Sequence, residues 1–214
     1  HRVRFRDGVY TVEIDGALWT SDMLELCREE PIVPDVPGRR LGEFQRIAVG
    51  VDPSGAQSKL DIKSDEIGIV VVGRRQDKSG VVLEDATLRG GPIEWGRRVA
   101  AMYKKWKADT VVAERNYGGA MVESTIKVAD SSCKVLLVNA SRGKTVRAEP
   151  IAALYETKRM THAGRFPDLE SQLTKFSKYG YKGDRSPDRA DALVWAATEL
   201  FIDNQSTYTL AHIH

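Results

Sequence analysis

Three acidic residues occupy positions where a folded chain can use charge. Asp52 and Glu114 each end a short apolar run, Ile47 to Val51 and Thr110 to Ala113, and Asp191 lies in a stretch, Ala190 to Phe201, that is otherwise almost wholly apolar. In open α/β sheets, ligands bind at the carboxyl ends of the strands. An acid there also serves simply to begin a solvated turn, so neither strand-end residue is decisive alone. Asp191 carries the stronger argument. A helix apolar on nearly all sides is buried, and an ionised carboxylate inside it costs several kcal/mol unless it is paired or bound to a cation. Asp188, one turn earlier, has a simpler role. An acid in the first helical turn stabilises the positive end of the macrodipole by about 0.3–1 kcal/mol, which makes it structural first and an auxiliary metal ligand second.

Carboxylates converging without cysteine or histidine make a hard-oxygen site, suited to Mg²⁺ or Mn²⁺ rather than Zn²⁺. Two such ions about 3.5–4 Å apart activate a water on one side of a phosphodiester and neutralise the leaving oxygen on the other. The expected chemistry is therefore hydrolysis of a phosphodiester, with no side-chain general base required. A phosphate track is expected along Arg142, Lys144 and Arg147, and along Lys175, Lys178 and Lys182, where Phe176, Tyr179 and Tyr181 are interleaved with the charges. Both stretches also read as solvated loops. Arg74, Arg75 and Lys78 form a weaker third group. Gly143-Lys144-Thr145 resembles the end of a phosphate-binding loop, but that motif needs glycine where Val138 stands, so no ATPase activity is expected.

The elements that must position these acids follow from periodicity. Residues 1–45 read as an appendage. It comprises a hairpin turning at Asp7-Gly8, a helix from Thr20 or Ser21 through Arg28, and a linker broken by Pro31, Pro34, Pro37 and Gly38. Residues 46–202 read as the main domain, and 203–214 as a tail. The domain opens with the strand ending at Asp52. A hairpin of Glu66 to Gly73 and Val81 to Thr87 follows. Trp95, Val99, Met102 and Trp106 then recur at helical spacing as a core stripe. Next come the strand ending at Glu114, a helix over 120–129 and a strand over 134–139. Helices near 148–159 and 168–176 precede a last one from Ser186-Pro187 to about Phe201. Strands alternating with helices imply an α/β architecture.

Composition narrows the class. With 42% hydrophobic and 29% charged residues the chain suits a globular domain, and its net charge of +2 does not by itself imply a nucleic-acid partner. No apolar run approaches the roughly 20 residues a membrane helix needs. Cys27 and Cys133 lack metal-ligand spacing, which fits a reducing, intracellular setting. His1 and His212-Ile213-His214 read as added ends and are set aside.

Four segments carry a family resemblance: Arg46-Ile47-Ala48-Val49-Gly50-Val51-Asp52-Pro53, Val111 to Gly119, Phe166-Pro167-Asp168-Leu169-Glu170, and Ser186-Pro187-Asp188-Arg189-Ala190-Asp191-Ala192-Leu193-Val194. With these the sequence resembles the C-terminal nuclease domain of the large terminase subunit of tailed bacteriophages. Gly16-Ala17-Leu18-Trp19-Thr20 resembles the segment joining that family's motor to its nuclease. The resemblance implies a ribonuclease H-like fold, a central mixed sheet flanked by helices, with Asp52, Glu114 and Asp191 holding two Mg²⁺ or Mn²⁺ ions. It implies an endonuclease that cuts concatemeric double-stranded viral DNA during packaging in the host cytoplasm. The implied partners are an ATPase motor domain with no counterpart here, a small terminase subunit and the portal. A junction resolvase or transposase of the same fold would use the same acids. A non-catalytic DNA- or portal-binding module is disfavoured by the presence of all three.

Overall fold

The computed structural model describes residues 2–6, 9–34, 42–53, 66–115, 119–139 and 143–203. The turn at Asp7-Gly8, the linker residues Pro37 and Gly38, Arg142 and the tail beyond 203 lie outside them.

The hairpin of β1 (Arg2–Arg6) and β2 (Val9–Glu13) is antiparallel, with Arg6 opposite Val9. Helix α1 (Ser21–Leu26) starts where expected because the Thr20 hydroxyl accepts the Met23 N–H at 3.1 Å. β4 (Phe44–Asp52) and β5 (Gly68–Arg75) pair antiparallel, and β5 continues into the hairpin with β6 (Gly80–Asp85). Amphipathic α2 (Pro92–Lys105) leads to β7 (Thr110–Glu114), which lies parallel to β4. Helix α3 (Gly119–Ala129) then crosses over to β8 (Val135–Val138), parallel to β7.

The second half departs from expectation in three places, one of them Phe176, expected to end the helix near 168–176 and found in a strand. Helix α4 (Lys144–Glu156) begins four residues before Ala148, so Lys144 and Arg147 are helical rather than part of a loop. The stretch Met160–Ala163, expected only as part of the connection between two helices, is a strand, β9, parallel to β6. A further strand, β3 (Arg28–Glu29), caps β9 in parallel. The mixed sheet thus has seven strands in the order β3-β9-β6-β5-β4-β7-β8. Helix α5 (Pro167–Leu173) and a small hairpin of β10 (Phe176–Ser177) and β11 (Gly180–Tyr181) precede α6 (Asp188–Thr198), which runs on as a π-helical turn, Glu199–Asp203. No helix among the described residues is long and apolar enough to cross a membrane.

Alternation along the strands gives each face of the sheet its own core. Ile47, Val49, Val51, Ile69 and Val71 pack with the Trp95, Val99, Met102 and Trp106 stripe and with α3. Ala48, Val70, Val72 and Val112 face the opposite way, against α4, α5 and α6. The second face also holds Leu18, Trp19, Leu24 and Cys27. Residues 17–29, expected in an appendage, are therefore part of the main body. Trp19 is fully buried, edge-on to Tyr155 and Phe176 at centroid distances of 5.9 and 6.0 Å, and burial of this kind outweighs the linker-like prolines that follow.

Candidate active site

Two parallel strands bring the first two acids side by side. The register pairs Gly50 with Val112 and Val51 with Ala113, so the next step along both strands places Asp52 beside Glu114. Since Ala48 and Val112 belong to the α6-facing core, the same two-residue alternation turns Asp52 and Glu114 toward α6. Asp52 is 2% exposed and Glu114, at the sheet rim, is half-buried.

Helix α6 supplies the third acid, and two glycines let it come close. A Cβ on Gly50 would lie 1.9 Å from the Ala192 carbonyl oxygen, and one on Gly68 1.9 Å from that of Asp188. Gly68 is the cross-strand partner of Asp52. Asp52 and the first turn of α6 are thereby held at one end of the sheet. Asp188 and Asp191 are 5% and 2% exposed. Arg189 points the other way, to Asp85 at 3.0 Å and Glu66 at 3.2 Å, so its charge is already matched.

The positive group expected opposite Asp191 is Lys144, whose ammonium bonds to the Asp191 carboxylate. Burial opposes the lysine's charge, but Asp191, Asp52 and Asp188 together outweigh it and raise the Lys144 pKa above its ordinary value. Tyr181 borders the same acids. Burial, followed by Asp188, Asp191 and Asp184, pushes its phenol up to about 12, so it remains a neutral O–H.

Among the described residues, no group of three His, Cys, Asp or Glu side chains is gathered tightly enough to hold a metal ion as placed. The donor set still fits a hard divalent cation, because it offers carboxylate oxygens alone and because a cation, the Lys144 ammonium, already sits on Asp191 with Asp52 and Asp188 acting on it.

The expected DNA-contacting residues are distributed unevenly. Arg147 lies over the Trp195 ring, its guanidinium carbon 4.0 Å from the centroid, and its Nε and one terminal nitrogen make no hydrogen bond. Lys175 lines a polar cleft of about 470 Å³ with Arg89, Arg185, Arg189 and Tyr181. Lys178 and Lys182 are exposed on and beside the β10–β11 hairpin. At the other hairpin, Arg74 donates to the Leu200 carbonyl at 3.0 Å, while Arg75 pairs with Glu29 and Glu43 at 2.6 and 2.8 Å.

Sequence reading missed a second buried polar group. His162 is fully buried, with Nε2 2.8 Å from the Tyr155 hydroxyl and Nδ1 3.1 Å from Glu170. Burial lowers the imidazole pKa. The neutral ring therefore donates from Nδ1 to the carboxylate and accepts the Tyr155 O–H at Nε2. Glu170 also accepts from Arg28 at 2.9 and 3.1 Å. Burial would raise its pKa, but the hydrogen bonds from His162, Arg28 and the Phe166 N–H hold it at about 2. No local pattern announces this group, since its members lie on β3, α4, β9 and α5.

Comparisons with known proteins bear on the fold. The family model described as the terminase RNase H-like domain matches residues 49–200. A search of curated proteins returned no match. The large terminase nuclease of the thermophilic phage G20c, solved with bound magnesium, is 12% identical with a TM-score of 0.62, over 86% of this chain and 97% of that one. The HK97 bacteriophage large terminase is 14% identical with a TM-score of 0.60, and the match spans 86% of this chain but 43% of that one. The nuclease domain of the large terminase subunit gp2 of bacterial virus Sf6 is 15% identical with a TM-score of 0.56, over 83% and 96% of the two chains. The mixed seven-stranded sheet is a ribonuclease H-like fold, and with the family model spanning both strand-end acids and the whole of α6, the chain belongs to the terminase RNase H-like domain family.

Proposed function

We propose that the chain is an endonuclease that hydrolyses DNA phosphodiesters with two divalent ions, Mg²⁺ or Mn²⁺, held by Asp52, Glu114 and Asp191, with Asp188 as an auxiliary ligand. The observation that carries this reading is the placement of Asp52 beside Glu114 at the ends of two parallel strands, with the first turn of α6 seated on Gly68 and Gly50 and the Lys144 ammonium on Asp191. Acids buried as Asp52, Asp188 and Asp191 are need compensating positive charge. When bound, the metals supply Lewis acidity and a water of lowered pKa.

The protein's own contribution is placement. The β4–β7 register aligns Asp52 with Glu114, and the glycine contacts seat the start of α6, which carries Asp188 and Asp191, against β4 and β5. Burial of Asp52 and Asp191 excludes water and strengthens their hold on a cation. Duplex DNA is proposed to lie across Lys144 and Arg147 on α4 and Lys175, Lys178 and Lys182 around the β10–β11 hairpin, with Arg142 alongside. The G20c nuclease has been solved with magnesium and with cobalt, which supports metal dependence here. Kinship with terminases supports action on concatemeric viral DNA during packaging, in the host cytoplasm, beside an ATPase motor, a small subunit and a portal.

The test is plasmid cleavage in Mn²⁺ by the wild type and Asp191→Asn, with circular dichroism to confirm folding. The reading expects nicking and linearisation by the wild type and loss of at least about a hundredfold in the variant. Full cleavage by folded Asp191→Asn would overturn it.

A further inference from the structure

Lys144 is poorly explained by the helix it begins. A cation in the first turn opposes the helix dipole, and Gly143 before it offers no side-chain cap. The acids of the site explain it better. Its ammonium sits on Asp191, whose side chain is 3% exposed, while 45% of the lysine side chain remains open to solvent. Asp52, at the end of β4, and Asp188, at the start of α6, lie near enough to act on its charge.

We propose that Lys144 is an internal counter-ion: its ammonium holds the place of a divalent cation among Asp52, Asp188 and Asp191, and swings outward on its exposed stem when the metal enters. The proposal rests on the reading of this cluster as a metal site and adds a competitor to it. The contact keeps the acids together in the metal-free protein and weakens metal binding, because each entering ion must displace a salt bridge.

The experiment is calorimetric titration of Mn²⁺ into the wild type, Lys144→Met, Lys144→Arg and Asp191→Asn. Lys144→Met, which keeps the stem and removes the charge, is expected to bind Mn²⁺ roughly tenfold more tightly, since a like charge within a few ångströms is gone. Lys144→Arg is expected to bind as the wild type does. Unchanged or weaker binding in Lys144→Met, or equal tightening in Lys144→Arg, overturns the proposal. A second measurement needs no variant. Acetylation of Lys144 by acetic anhydride, followed by peptide mass spectrometry, is expected to rise several-fold when Ca²⁺ is added, and an unchanged yield overturns outward displacement. Asp191→Asn separates the two readings. Binding lost there but unaltered in Lys144→Met leaves the metal site standing without its counter-ion, whereas a wild type that binds no Mn²⁺ removes both.

Discussion

Gly68 lies directly beneath Asp188: a Cβ at Gly68 would come within 1.9 Å of the Asp188 carbonyl oxygen and 2.4 Å of its carbonyl carbon. With Gly50 under Ala192, it forms a backbone trough across two paired strands into which α6 settles. Gly68→Ala is therefore expected to lift the start of α6 away from Asp52. Overpacking of this kind costs about 1–3 kcal/mol, measurable by urea denaturation. Cleavage should fall much further than the folded fraction, because the acids separate. A variant with wild-type stability and activity would contradict the trough.

Trp19 predicts a large effect far from the acids. Its indole is fully buried against Tyr155 and Phe176, and removing such a side chain costs about 3–5 kcal/mol. Trp19→Ala should shift the denaturation midpoint strongly downward, whereas an appendage residue would leave it unmoved.

The buried histidine sets a pH dependence. Because the fold lowers the His162 pKa, the unfolded chain takes up a proton that the folded one refuses as pH drops below about 6.5. Stability therefore declines from that point down through the folded pKa. Glu170, held at about 2, adds a second decline between about pH 4.5 and 2, where the unfolded carboxylate protonates first. Denaturation series at several pH values should show the upper decline vanish in His162→Phe and the lower one become shallower in Glu170→Gln, the remainder coming from acids such as Asp130, also held at about 2. A slope left unaltered by its own substitution would assign it elsewhere.

DNA binding is testable by salt. Replacing Lys175, Lys178 and Lys182 together with Ala should weaken duplex binding in anisotropy titrations. The slope of log affinity against log salt should fall by about 0.9 for every phosphate that these lysines neutralise in the wild type. An unchanged slope would exclude the β10–β11 region from the DNA track.

Several elements could be read directly from the chain, and the reasons are local. β4 and β7 are apolar runs ending in an acid, α2 carries a four-residue core stripe, and the apolar composition of α6 made a buried Asp191 conspicuous. The start of α4 was hidden because Lys144 and Arg147 oppose the helix dipole and Pro150 interrupts the pattern. Both residues are reconciled with the helix by distant partners, Asp191 and Trp195. β9 spans four residues, Met160–Ala163, with polar Thr161 and His162 at its centre. Its place in the sheet depends on β6, some 80 positions earlier, and on Glu170, which no periodicity within the strand can reveal.

The parallel seam between β3 and β9 also bears on mechanical load. Arg28 and Glu29 are stitched to His162 and Ala163, and Arg28 is clamped further by Glu170. Tension applied to the chain ahead of Ala17 would first meet the Trp19 plug and only then pull the seam in shear, where its bonds must fail together. A tug from that side would reach β4 and its carboxylate only after both anchors had given way, leaving the proposed metal site shielded from force on its own leash.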